Sequence, residues 1–177
     1  MARGKSKRVS KRKRNIARIK AFGNAEKYKW AVADIETIKE SDSEEFNSRF
    51  YLGGVYSDEK GFSIFRNIYQ FLVELSKYKV VFFHNANFDL QVIMKALSKD
   101  DVNIKCSASM SGSRLINATL EVEKDIKIRI ADSMNIYNMS LEKLEKSFHI
   151  ERKTLELKHD RENLDKYDIS EVIEYLR

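Results

Sequence analysis

"VVFFHNANFDLQ", residues 80–91, sets four apolar residues in front of His84-Asn85 and then, three residues on, Phe88-Asp89. A short continuous apolar run reads as a strand covered on both faces. "FDLQVIMKAL" behind it has the pattern of a helix, so residues 80–97 form a strand–turn–helix unit with "HNAN" as the turn. Such a unit predicts an α/β domain, and in open α/β sheets ligands collect at the carboxyl ends of strands.

Working outward, "YKWAVADIE" (28–36), "RFYLGGVYS" and "GFSIF" read as three strands of a meander, with "SDEKG" as a turn and Gly53-Gly54 allowing a bulge. Ile68, Phe71, Leu72 and Leu75 fall at i, i+3, i+4 and i+7, the stripe of an amphipathic helix. Beyond the central unit, "IKCSAS", "RLINATLEV" and "DIKIRIAD" read as strands. "SLEKLEKSF" reads as a helix with Ser140 as N-cap and Leu141, Leu144 and Phe148 as its inward face. The polar stretch 151–168 reads as a loop with one candidate strand, "TLEL", before a last helix at "ISEVIEYLR", where Asp168 and Glu171 have capping-box spacing. The expectation is a mixed central β-sheet flanked by helices.

At 177 residues and 42% hydrophobic, the chain can build one sizeable core. Nothing in it approaches the ~20 apolar residues of a membrane-spanning helix, so no membrane partner is expected. Ten of the 33 Lys/Arg lie in residues 1–20 with no acid among them, leaving 23 to face all 27 acids in the remainder. Residues 1–25 therefore read as a basic, disordered arm drawn to phosphates or another polyanion, with a merely solubilising tail as the alternative. A mitochondrial presequence is the other alternative, although residues 1–15 offer few apolar side chains for it. The lone Cys106 fits a reducing, cytoplasmic setting and reads as a small apolar filler in a strand.

Asp34 and Glu36 stand two apart at the end of the first strand, so both carboxylates share a face while Ile35 points to the core. A solvated strand end is one reading of the pair, and a site for a hard divalent cation is the other. If "KVVFF" lies beside the first strand, Asp89 joins them, and three carboxylates in one cleft would raise one another's pKa until a cation neutralised them. Phe88 offers a flat face for a nucleobase, and Asn85 a donor for phosphate or sugar oxygens.

"DIET" (34–37) and "HNANFD" (84–89) resemble the first two signature motifs of the 3'-5' exonuclease superfamily, built on a ribonuclease H-like fold. "IADSMNIYNMSLEKLEKSF" and the stretch after it resemble the exonuclease domain of protein-primed family B DNA polymerases of phages, viruses and linear plasmids. The resemblance covers roughly residues 28–177, within a domain expected to span 26–177. It implies two Mg2+ or Mn2+ ions held by Asp34, Glu36 and Asp89, and contact of the single-stranded 3' end by Thr37, His84, Asn85, Phe88 and Ser133. Met134 stands where that last motif usually has Leu. Asp132 is left open between a capping and a catalytic role, and Lys153 lies near a lysine the family uses.

The resemblance also implies Tyr-x-x-x-Asp on the last helix, with Tyr175 in the first position. The Asp would fall two positions past Arg177, and Glu171 is a weak substitute for it. The expectation is an exonuclease portion cut short at its C-terminal helix, without the palm, fingers and thumb, and feeble or inactive alone. A terminal protein or a separate polymerase chain is the implied partner. The alternative is a non-catalytic module that binds single-stranded DNA or a replication partner. A histidine-type exonuclease fits less well, because no His follows His159.

Overall fold

In β1 (Tyr28–Lys39) the strand period sorts the side chains cleanly. Ala31, Ala33, Ile35 and Thr37 are buried, whereas Val32 and Asp34 are exposed. The computed structural model describes residues 28–39, 48–100, 102–150 and 169–176. β2 (Ser48–Ser57) and β3 (Gly61–Phe65) complete the meander, and α1 (Ile68–Leu75) leads into β4 (Tyr78–Phe83) and α2 (Ala86–Ser98). Then come β5 (Ile104–Ser111), β6 (Arg114–Val122), β7 (Ile126–Asp132), α3 (Met134–Tyr137), α4 (Leu141–Ser147) and α5 (Ile169–Leu176).

The strands form one seven-stranded sheet in the order β3-β2-β1-β4-β7-β6-β5. β1, β4 and β7 run parallel at its centre, and antiparallel pairs flank them, which makes the sheet mixed as expected. Because the three central strands share a direction, their carboxyl ends lie at one edge. Val32 pairs with Phe82, and Phe83 with Asp132, so the residues just beyond each strand converge there.

The helix-covered face holds the main core. Ala31, Ala33 and Ile35 pack with Phe71, Leu72 and Leu75 of α1 and Leu90, Ile93 and Leu97 of α2. The two alanines let the helices approach closely, and the stripe read from the sequence is the buried side of α1. Asn67 caps α1, its side chain accepting from the Tyr69 and Gln70 N–H groups. On the opposite face, Val172 of α5 packs on Leu52, with Ile38, Ile64 and Ile169 around them. Leu52 is the cross-strand partner of Glu36, so α5 docks on the face that carries the Asp34 and Glu36 carboxylates.

Three local expectations are corrected. The bulge lies at Tyr51, opposite the Glu36/Thr37 step, and not at the glycines. Gly53 serves close approach instead, since a Cβ there would sit 2.5 Å from the Phe71 ring. The supposed inward face of α4 is not buried: Leu141 and Phe148 are 49% and 62% exposed, and Phe148 pairs edge-on with Tyr137 at 6.4 Å. Ser140 does cap that helix, accepting from the Lys143 N–H. Finally, Cys106 is exposed on the outer strand β5 rather than packed as filler. The basic arm, the polar stretch with "TLEL" and Lys153, and Asp168 fall outside the described residues.

Candidate functional site

The carboxyl edge of the parallel strands brings together Asp34 and Glu36 from β1, His84 and Asn85 after β4, Asp89 in the first turn of α2, and Asp132-Ser133 after β7. Asp34 is exposed, Glu36 half-buried, and Asp89 only 4% exposed. Burial, above all, holds the Asp89 carboxyl well above the usual carboxylate range. The negative charge of Asp34 pushes the same way and that of Glu36 adds to it, while the N–H groups of Asp89 itself and of Ile35 oppose them. The three acids are therefore within electrostatic reach of one another. Asp89 Oδ1 is buried with no hydrogen-bond partner.

An orphaned carboxylate oxygen facing two more carboxylates suits a hard divalent cation, which takes oxygen ligands and would remove the repulsion. As the side chains stand, no group of three or more His, Cys, Asp or Glu among the described residues is gathered closely enough to hold a metal ion. The fit is thus one of donor chemistry and charge.

A second set of contacts shapes the turn between β4 and α2. Asn85 adopts the left-handed conformation, φ 64° and ψ 48°, which Asn tolerates better than most residues. Its N–H donates to Asp132 Oδ1 at 3.0 Å, and the same oxygen accepts the Met134 N–H at 2.9 Å. Asp132, 4% exposed, thereby ties the end of β7 to the turn after β4. Next to it, the Ser133 N–H and hydroxyl both donate to the Phe83 carbonyl, at 2.8 and 3.1 Å. Ser133 Oγ also lies 3.0 Å from His84 Nδ1. The imidazole tautomer sets which of the two donates. Nε2 is buried without a partner.

The structure therefore gathers Asp34, Glu36, His84, Asn85, Asp89 and Ser133 at one edge. Thr37 lies near them but is buried beside Ile35 on the helix-covered face. Phe88 is half-buried against the core, with its N–H on the Asn85 carbonyl. Tyr175 lies in the helical backbone of α5, three residues past Val172. Sequence reasoning left the role of Asp132 open and missed the Ser133–His84 pair. The only signal for either was "ADS" at the end of a strand, which does not reveal the strand's neighbours.

A mixed sheet whose parallel centre ends in acids is the ribonuclease H-like arrangement expected of the chain. The chain belongs to the type B DNA polymerases, organellar and viral, whose sequence profile matches residues 72–176. Among solved structures, Phi29 DNA polymerase complexed with primer-template DNA and incoming nucleotide substrates is similar at a TM-score of 0.63 and 17% identity, over 84% of this chain and 28% of that one. The same polymerase complexed with single-stranded DNA gives 0.57 and 17%, over 76% and 25%. At that identity the likeness is one of fold, and this chain spans 25–28% of the polymerase's length. Comparison with curated proteins finds no match. No described helix is long and apolar enough to cross a membrane.

Proposed function

We propose that this domain is the 3'-5' exonuclease portion of a protein-primed family B DNA polymerase, hydrolysing the terminal phosphodiester of a single-stranded DNA 3' end. The observation that carries the reading is the buried Asp89 carboxyl, raised by burial and by the charges of Asp34 and Glu36 at the same strand edge. Asp34, Glu36 and Asp89 would hold Mg2+ or Mn2+, two ions in the complete site. Bound there, such ions supply a nucleophilic water at neutral pH and charge stabilisation at the departing 3' oxygen.

The chain's own groups supply position. The left-handed turn at Asn85, clamped by Asp132, directs His84 and Asn85 along the edge toward the strand end. His84 Nε2, buried without a partner, would meet a polar atom of the nucleotide. Phe88 offers the flank of a ring to a base. Tyr175 would orient the attacking water. A terminal protein or the rest of a polymerase is the proposed partner in replication, in the cytoplasm of a host cell.

The test is degradation of a 5'-labelled single-stranded oligonucleotide with Mg2+ or Mn2+ by three proteins: this chain, a chain extended through the Tyr-x-x-x-Asp helix, and the Asp34→Ala/Glu36→Ala variant of that extended chain. Metal-dependent shortening from the 3' end by the extended chain, abolished by the double substitution, is expected. An extended chain that binds the oligonucleotide and never cuts it overturns the proposal in favour of a binding module.

A further inference from the structure

The outer hairpin of β5 and β6 turns at the same edge as the acids, because β6 runs antiparallel to β7. Asn117 pairs with Ala131, so the residues before Asn117 reach past the end of β7 on the carboxyl side. There the strand period breaks. Ser109 pairs with Asn117 but Met110 with Leu115, which leaves Ile116 as the extra residue of a second bulge. The bulge resets the alternation of β6, and Leu115, 1% exposed, joins Ala118 in the helix-covered core. Arg114 therefore falls on the other face, the one that Asn117, Ala131, Phe82 and Val32 share with Asp34 and Glu36. Without the extra residue the two would exchange faces.

Two side chains after β7 fix this end of the hairpin. Asn135 Nδ2 donates to the Leu115 carbonyl at 2.8 Å and to the Asp132 carbonyl at 3.2 Å. Arg114 Nη1 donates to Asn138 Oδ1 at 3.0 Å. Asn138 is itself in the left-handed region, φ 49°, with its N–H on the Met134 carbonyl at 2.8 Å. One N–H thus aims the guanidinium, while the side chain stays exposed. Along the edge the order is Glu36, His84, Ser133 and Arg114, carried by β1, β4, β7 and β6. Three strand spacings of ~4.8 Å set the Arg114 backbone about 14 Å from that of the acids.

We propose that Arg114 grips a backbone phosphate of the single strand, a few nucleotides upstream of its 3' end, with Asn138 as the positioning residue. The inference rests on the reading of the acids as the place that holds the 3' end. A guanidinium offers paired N–H groups that match two phosphate oxygens, and such a contact fixes register without reading sequence. It also supplies the row with a permanent positive charge, which Glu36, His84 and Ser133 do not have.

The test compares the full chain with Arg114→Gln, Arg114→Lys and Asn138→Ala. Both positions are exposed, so all three variants should keep the fold, which circular dichroism and Tm verify. Anisotropy of a ten-nucleotide single strand, read without divalent metal, should show binding at least fivefold weaker in Arg114→Gln at 50 mM salt. One lost phosphate contact lowers the log–log salt slope by about 0.7, so the native chain loses about 2.6-fold more affinity than Arg114→Gln between 50 and 200 mM. Arg114→Lys and Asn138→Ala keep the charge, and should weaken binding with the slope unchanged. The basic N-terminus is common to all four proteins. With Mg2+, and a phosphorothioate as the terminal linkage to resist cleavage, neutral methylphosphonates are then placed at each linkage in turn. One of them should weaken binding by the native chain and have no further effect in Arg114→Gln.

A reduced slope and a single silent linkage establish the contact. A reduced slope with no single linkage keeps the phosphate contact and overturns the claim that the acids fix the 3' end. Arg114→Gln that leaves both affinity and slope unchanged overturns the proposal, as does a native chain that does not bind the strand. A variant that only lowers Tm, with the methylphosphonate pattern unaltered, makes Arg114 a pin for the segment at Asn138 and overturns it equally.

Discussion

Asp132 separates a structural carboxylate from a catalytic one. Its Oδ1 accepts two backbone N–H groups, those of Asn85 and Met134, in a site 4% exposed. Asp132→Ala strands both donors and frees a turn held in the left-handed region. A buried amide left without a partner costs ~1–3 kcal/mol. Two such amides, partly rescued by water at the edge, make about 3 kcal/mol, or a Tm lower by about 6–12 °C at this chain length. Asp132→Asn keeps an amide oxygen where Oδ1 accepts both bonds and is expected within ~1 kcal/mol of the native protein.

Urea denaturation gives the stabilities, and amide hydrogen exchange at Asn85 and Met134 shows whether protection is lost in Ala and kept in Asn. Oligonucleotide binding should follow the same order, since the clamp aims His84 and Asn85. The reasoning fails if Asn is as damaging as Ala to binding and exchange, which would mean that the negative charge itself matters. It fails equally if Asp132→Ala changes stability by less than ~0.5 kcal/mol, the range of an ordinary surface substitution.

Other outcomes follow from the same packing. Gly53→Ala pushes a methyl to within 2.5 Å of a Phe71 ring already set against Phe50 and Phe65, and should cost ~1–3 kcal/mol by thermal unfolding. At Glu74, burial raises the carboxyl pKa, but hydrogen bonds and charge from Lys60 (2.8 Å) and Lys77 (2.6 Å) outweigh it and leave the pKa lowered. Its contribution is therefore present above the ordinary carboxylate range and lost as pH falls through the lowered value. Glu74→Gln should cost about 2 kcal/mol at pH 7, below the range for fully buried pairs because both lysines are partly exposed, and progressively less under acid. Mg2+ or Mn2+ at ten times its Kd should raise stability by ~1.4 kcal/mol in the native chain and leave Asp34→Ala/Glu36→Ala unmoved, as read by Tm.

Alternation in "YKWAVADIE" was enough to place Ile35 inward and both acids outward, because a strand's period of two is local and needs no partner. The helical stripe of Ile68, Phe71, Leu72 and Leu75 and the Ser140 cap were legible for the same reason. The reading of α4 failed because an apolar stripe states which face could be buried and not whether anything packs there. Leu141 and Phe148 lie where no described element covers them. Cys106 was misjudged similarly, since only the strand order makes β5 an outer strand.

The sequence by itself determined the elements, the acid pair of β1 and the turn that carries His84, Asn85 and Asp89, all set by spacing within about a dozen residues. Only the tertiary structure decided that Asp132 holds Asn85, that Ser133 meets His84, and that Arg49, Arg66, Lys95 and Lys99 line one pocket. The first two contacts join residues 47 and 49 positions apart in the chain. Strand order and helix docking create them, and no local pattern encodes either.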